Sequence, residues 1–196
     1  MQKRRKLLLP LALIFCLCAC GGENSPGRVE RICQRFADAA GYSMEVRADL
    51  MQEEVLHYAL RLTKDGDEVT AVVTEPEMLA GVTVNIAPDM LHLSYEGLVL
   101  DVPGEEGRIG GANCAPLLLS AIADGYFLHA EETELDGEKA LCACFEYEYG
   151  GETLVCRVWF SAEDLPLCGE IEKNGTIEAY MGFTNVEIRD TIENTN

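Results

Sequence analysis

The chain has 196 residues, a quarter of them charged, and a formal net charge of −19. The first nineteen residues hold four cations and no acid, so without them the charge falls by four more, to −23. That acidity excludes nucleic acid and a flat seat on anionic lipid, since both need cations facing phosphates.

The chain opens with Lys3-Arg4-Arg5-Lys6 and the apolar run 7–17. Cations followed by a short apolar run are the layout of a secretory signal, and the run falls short of the ~20 residues of a membrane-spanning helix. It ends in Leu17-Cys18-Ala19-Cys20, which resembles a bacterial lipoprotein signal. That resemblance implies removal of residues 1–19 and a diacylglyceryl thioether on Cys20, with residues 20–27 as a tether. A diacylated cysteine supplies more than one acyl chain, as stable anchoring requires. The expected location is the extracytoplasmic face of the cell membrane; Gly21 is compatible with export to an outer membrane where one exists. Residues 20–196, 177 in all, suit one well-packed domain.

Beyond Cys20, six cysteines remain: Cys33, Cys114, Cys142, Cys144, Cys156 and Cys168. An even number outside the cytoplasm suggests disulfides. Cys142 and Cys144, however, sit two apart on one strand face, a poor geometry for bridging each other. Reduced, packed cysteines are the reading taken, in keeping with an anaerobic source.

Ser25-Pro26 is a helix start, a capping hydroxyl followed by proline in the first turn. Val29, Ile32, Cys33, Phe36, Ala37 and Ala40 then form a helical apolar stripe ending at Gly41. Strands follow. Met44, Val46, Ala48 and Leu50 alternate with polar neighbours, as do Leu56, Tyr58, Leu60 and Leu62; Asp65-Gly66 turns the chain into Val69, Ala71 and Val73. Residues 76–79 read as a helical turn, and shorter strands as 82–86, 90–95 and 98–102. Residues 103–113 contain four glycines and read as the most flexible segment of the domain. A second helix is expected from Cys114 to Asp124, with Leu118, Leu119 and Ile122 inward.

Residues 138–149 alternate strictly, and Gly150-Gly151 makes a two-residue turn. The register this sets pairs Tyr149 with Glu152, Tyr147 with Leu154, Phe145 with Cys156, Ala143 with Val158 and Leu141 with Phe160. A slip of one residue would put acids opposite that apolar set. Strands 167–173 and 177–188 join across Asn174-Gly175, and Asn185 and Asp190 onward read as a frayed tail. The fold class is α+β: a strongly curved antiparallel sheet of about ten strands, a half-barrel covered by an N-terminal and a mid-chain helix. The domain spans 28–190, with a disordered tail at 191–196.

This order of elements resembles the LolA/LolB-like superfamily of lipoprotein carriers and receptors. The likeness is carried by the lead helix into Tyr42-Ser43-Met44-Glu45-Val46, by residues 76–82, by Leu93-Ser94-Tyr95-Glu96-Gly97-Leu98, by Asp164-Leu165-Pro166-Leu167 and by residues 182–186. It implies a half-barrel with an apolar cavity under helices. The soluble carriers lack a lipid anchor, so the lipidation signal places this chain nearer the anchored receptors. Clostridial spore-germination lipoproteins of similar shape imply a second possibility, action through protein partners.

No nucleophile elbow, zinc-protease helix, phosphate loop or Ca²⁺ loop is present in the sequence. His57, His92 and His129 fall at exposed strand positions, and Glu131-Glu132 and Glu163-Asp164 read as solvated loops. Arg108 among glycines is no anion nest beside Glu105 and Glu106. Cys114 begins a helix, where a thiolate is favoured, but packing is the simpler role. The expectation is therefore a non-enzyme without metal or cofactor. Its cavity would be lined by Leu56, Tyr58, Leu60, Leu93, Tyr95, Phe145, Tyr147 and Phe160, and would hold a lipid or lipoprotein acyl chain. Ile32, Phe36, Leu118, Leu119 and Ile122 are gate candidates, with helix 28–40 and loop 103–113 at the mouth. The alternative is a filled core acting as a protein-interaction module that supports an envelope or spore-wall enzyme. A cavity of ~300 Å³ or more separates the two.

Overall fold

The computed structural model describes residues 25–87, 90–103 and 108–190. The signal, Cys20 and the tail at 191–196 lie outside the described residues. Two helices and eleven strands are present: α1 (Ser25–Ala37), β1 (Ala39–Met51), β2 (Val55–Asp65), β3 (Glu68–Glu75), β4 (Thr83–Ile86), β5 (Met90–Tyr95), β6 (Leu98–Pro103), α2 (Cys114–Asp124), β7 (Tyr126–Leu135), β8 (Glu138–Tyr149), β9 (Glu152–Phe160), β10 (Pro166–Lys173) and β11 (Thr176–Asp190). A short 3₁₀ turn, Glu77–Leu79, stands where the helical turn was expected.

All strands form one antiparallel sheet in the order β6-β5-β4-β3-β2-β1-β11-β10-β9-β8-β7. Two meanders, β1–β6 and β7–β11, thus meet where β1 pairs with β11, and α2 carries the chain from one outer edge to the other. Because β6 and β7 do not pair, the sheet is an open half-barrel. The β8–β9 register matches the expected one at every pair named above. Turns Asn174-Gly175 and Gly150-Gly151 both have positive φ at their two central residues, the twist a tight antiparallel hairpin needs.

Helix α1 buries Val29, Ile32 and Phe36. Helix α2 buries eight of its eleven residues, Cys114 to Leu119 with Ala121 and Ile122. A helix apolar all round must be covered all round. α2 meets that need by lying on β1, β8, β9 and β10 with α1 on its back, while α1 also touches β7. Under α2 the floor is Phe145, Leu154, Cys156, Val158, Phe160 and Ile171, each fully buried.

Several local expectations are corrected. α1 begins at Ser25, where the capping hydroxyl and proline place a helix start, so it takes in the end of the assigned tether; it ends at Ala37 rather than at 40. Gly41 does not end the helix; it lies in β1, where a Cβ would meet the Lys64 carbonyl at 2.4 Å. Glu131 and Glu132 lie in β7, a strand absent from the count of about ten. Asp164 is no free loop acid: it accepts a 2.6 Å hydrogen bond from Arg28 Nε, and the same guanidinium donates to the Ser161 carbonyl, pinning α1 to the β9–β10 turn. Asn185 is not frayed. It has φ 53° and sits where Thr184 and Glu187 pair with Glu45 and Ser43, a bulge in β11 held by a 3.1 Å bond from its amide to Glu45.

Candidate functional site: an apolar cleft beside helix α2

The helices roof only part of the concave face. They cover β1 and β7–β10, and beside the first turns of α2 a cleft of about 330 Å³ opens toward β3–β5. Tyr42, Val69, Ile86 and Leu91 form its sheet wall, Pro116, Leu117 and Ser120 of α2 its roof, and Tyr147 and Tyr149 of β8 its far side. The sheet wall is one cross-strand row. Tyr42 opposes Lys64, Lys64 opposes Val69, Val69 opposes Ile86, and Ile86 opposes Leu91. Asp67, Asn113 and Ser120 are the polar side chains on the lining, so the cleft is apolar with a few polar groups, as small-molecule sites commonly are.

Asn113, buried at 8% exposure, holds the rim. Its amide nitrogen donates to the Arg108 carbonyl at 3.0 Å and to the Tyr149 hydroxyl at 3.3 Å, while its Oδ1 accepts from the Gly110 amide at 2.7 Å. The segment 108–113 is thereby fastened beside the cleft, and Gly111 lies so close to the Tyr58 ring that a Cβ there would stand 2.9 Å from it. Residues 104–107 of the expected gate loop lie outside the described residues.

Of the eight cavity candidates, Tyr147 lines this cleft. Leu60, Phe145 and Phe160 belong to the closed core, Tyr58 and Leu93 are half-buried, and Leu56 and Tyr95 are exposed near strand ends. The gate candidates Ile32, Phe36, Leu118, Leu119 and Ile122 are all buried between the helices and the sheet. Tyr42, Val69, Ile86, Leu91, Leu117 and Tyr149 were not singled out. Strand alternation placed Val69 and Tyr149 on apolar faces, but where the helical roof stops is a tertiary fact.

The six cysteines among the described residues are free thiols, with Cys114 and Cys156 fully buried. The Cys114 thiol donates to the Gly111 carbonyl at 3.5 Å and is a packing group, not an activated one. Burial pushes Cys114 and Cys156 up to about 12 from 9.0, and Tyr42 up to about 12 from 10.0. Burial, with Glu131 second, pushes Cys142 up to about 11. The fold thus favours the neutral forms, whereas the unfolded chain ionises at the ordinary values. Stability is full below pH 9.0 and falls as pH rises through about 12. Denaturant midpoints should decline steadily across that window. A midpoint independent of pH there would show that these groups are not buried in the fold.

His57 pairs with Asp49 at 2.6 Å and His92 with Asp101 at 2.8 Å, both on exposed strand surfaces. On the convex face Arg157 donates to Glu170 and, at 3.0 Å, to Glu172; these bonds push its pKa up and keep it charged. Among the described residues no three metal-ligating side chains converge, and no helix is long and apolar enough to cross a membrane.

No family model and no curated protein matches the sequence. Solved structures do. An uncharacterized conserved protein from Thermus thermophilus is similar with a TM-score of 0.52 at 11% identity, over 86% of this chain and 90% of that one. That likeness shows the fold alone. A LolA superfamily protein from Nitrosomonas europaea is similar at 12% identity, with a TM-score of 0.41 over 83% and 94% of the two chains. A chain of the Clostridioides difficile complex of the CwlD amidase with the GerS lipoprotein is similar at 14% identity, with a TM-score of 0.33 over 91% and 93%. The half-barrel implied by the resemblance to LolA/LolB-like proteins is the architecture observed.

Proposed function

We propose that this protein is an envelope lipoprotein, tethered through diacylglyceryl-Cys20 on the extracytoplasmic face, that binds an apolar ligand without catalysing a reaction. The ligand class is a lipid or lipoprotein acyl chain. One observation carries the reading: a 330 Å³ cleft with an apolar wall lies beside α2, at the side of the half-barrel that the helices do not roof. A core that needed only stability would have closed over Val69, Ile86 and Leu91, since these side chains are only half-buried and full burial from water is worth about 1.5–3 kcal/mol each. Asp67 on the lining is exposed, so a headgroup beside it would meet water.

Native mass spectrometry of residues 24–196, expressed without the lipid, tests this. Discrete extra masses lost on organic extraction, or stoichiometric uptake of added fatty acid or phospholipid, are expected. A clean apo mass with no uptake would sink the reading. The alternative, a protein-interaction module, is favoured by a different observation: the core beneath α1 and α2 is filled, and one sheet edge is exposed and apolar.

A further inference from the structure

Among the described residues nothing covers the edge strand β6 along Leu98–Leu100. Leu98, Val99 and Leu100 are 75%, 73% and 61% exposed, and Tyr95, which pairs with Leu98, is 41% exposed. Isolated exposed apolar side chains are ordinary, but three in succession on an edge strand are not. They also continue an internal feature. Met44, Leu62, Ala71, Val84, Leu93 and Leu100 oppose one another in turn across six strands. The first four are at most 2% exposed, Leu93 is half-buried, and the row then ends in the open at Leu100. The core row runs out at an edge with room for one more strand.

The opposite edge is managed differently. β7 packs against α1, has a register shift between Phe127 and His129, and carries the exposed acids Glu131, Glu132 and Glu134. Helix cover, irregularity and charge are the usual protections of an edge. β6 has none of them along Leu98–Leu100.

Charge indicates what fits there. Residues 65–107, which contain β3 to β6, hold ten Asp and Glu and no Lys or Arg. Glu96 and Asp101, on either side of Leu98–Leu100, are exposed, as are Glu75 and Glu77 at the end of β3 and in the turn after it. A second copy of β6 would bring Glu96 and Asp101 against their equals, and like charges across a contact oppose it. An anionic membrane is disfavoured for the same reason. A cationic partner is favoured.

We propose that β6 is a docking edge, to which an extended, apolar segment of a partner protein bearing Lys or Arg beside its apolar residues adds as a twelfth strand. Backbone hydrogen bonds would supply affinity, the row ending at Leu100 would receive an apolar side chain, and the surrounding carboxylates would select cationic neighbours. This does not depend on the cleft beside α2 being occupied.

The test uses the full chain, purified from membranes into phosphatidylcholine nanodiscs, and three synthetic peptides. One alternates Val and Lys, one alternates Val and Glu, and the third is the Val/Lys peptide N-methylated on alternate backbone amides. The Val/Lys peptide should bind, slow amide exchange over residues 98–102, and bind more weakly as salt is added. The Val/Glu and N-methylated peptides should not bind. Leu100→Lys and Val99→Lys, at exposed sites that leave the core untouched, should each weaken binding about tenfold or more, the scale of one lost apolar contact. Equal binding of the N-methylated peptide, or no response to Leu100→Lys, would overturn the proposal. So would a concentration-dependent dimer abolished by Leu100→Lys, or protection of β6 by the nanodisc lipid without peptide.

Discussion

Replacing Gly169 with valine should lower unfolding stability by about 3 kcal/mol or more, at the upper end of overpacking costs. Gly169 lies in β10 opposite Val158 and Met181, on the face that receives α2. A Cβ built there would stand 2.4 Å from Leu118 Cδ2 and 2.9 Å from the Arg157 carbonyl oxygen. The leucine tip could swing aside, but the carbonyl belongs to the neighbouring strand's backbone and cannot move without breaking the ladder. Close packing between α2 and the sheet thus depends on this residue having no side chain. Gly182 supplies the control. It sits across the ladder from Cys168, one residue along, and a Cβ there would meet nothing within 4 Å. Gly182→Ala should be neutral or slightly stabilising, because alanine loses less backbone entropy on folding. Urea midpoints decide it: equal effects at the two glycines would show that α2 does not press on β10. Gly169→Ala combined with Leu118→Ala should cost less than the sum of the two changes, since the second makes room for the first.

The same contact shows what could and could not be read from the chain. The β8–β9 register was readable because Gly150-Gly151 fixes the turn and alternation fixes the faces, so two local signals agree. The bounds of α2 were readable because Asn113 and Gly125 flank a run that is apolar except for Ser120 and Asp124. β7 was missed as a strand of its own, since its bulge at Phe127/His129 breaks the alternation and its acids imitate a loop. Asn185 was misread because a polar residue with positive φ at a bulge has the local look of a strand end. The cleft was only half readable. Alternation says which residues face inward, but Leu60, Phe145 and Phe160 face inward under the helices while Val69, Ile86 and Leu91 face inward beyond them. The difference lies in how far α2 reaches across the sheet, and glycine at position 169 carries no periodic signal of that approach.

If the cleft is the binding site, Ser120→Trp should abolish ligand binding while the protein stays folded. Ser120 is on α2, half-buried, with its side chain on the cleft lining opposite the Tyr42–Leu91 wall. An indole at that position would stand in the cleft facing Val69 and Ile86, so it would compete with the ligand for the same apolar surface. The apo protein should lose nothing, and cavity filling commonly adds about 0.5–2 kcal/mol of stability. The expected pair of results is a thermal midpoint equal to or above that of the unchanged protein, together with at least a roughly hundredfold loss of fatty-acid affinity, about 2.8 kcal/mol. Leu100→Ser is the matching control on the open face, about thirty residues from the cleft wall in β3 along the chain but in the row next to it on the sheet. It should leave ligand uptake unchanged. Uptake retained in Ser120→Trp and lost in Leu100→Ser would place the ligand on the open sheet face instead. Uptake lost in both would mean that one acyl chain runs from the cleft along the row to the β6 edge, and ligand and partner segment would then compete for Leu100.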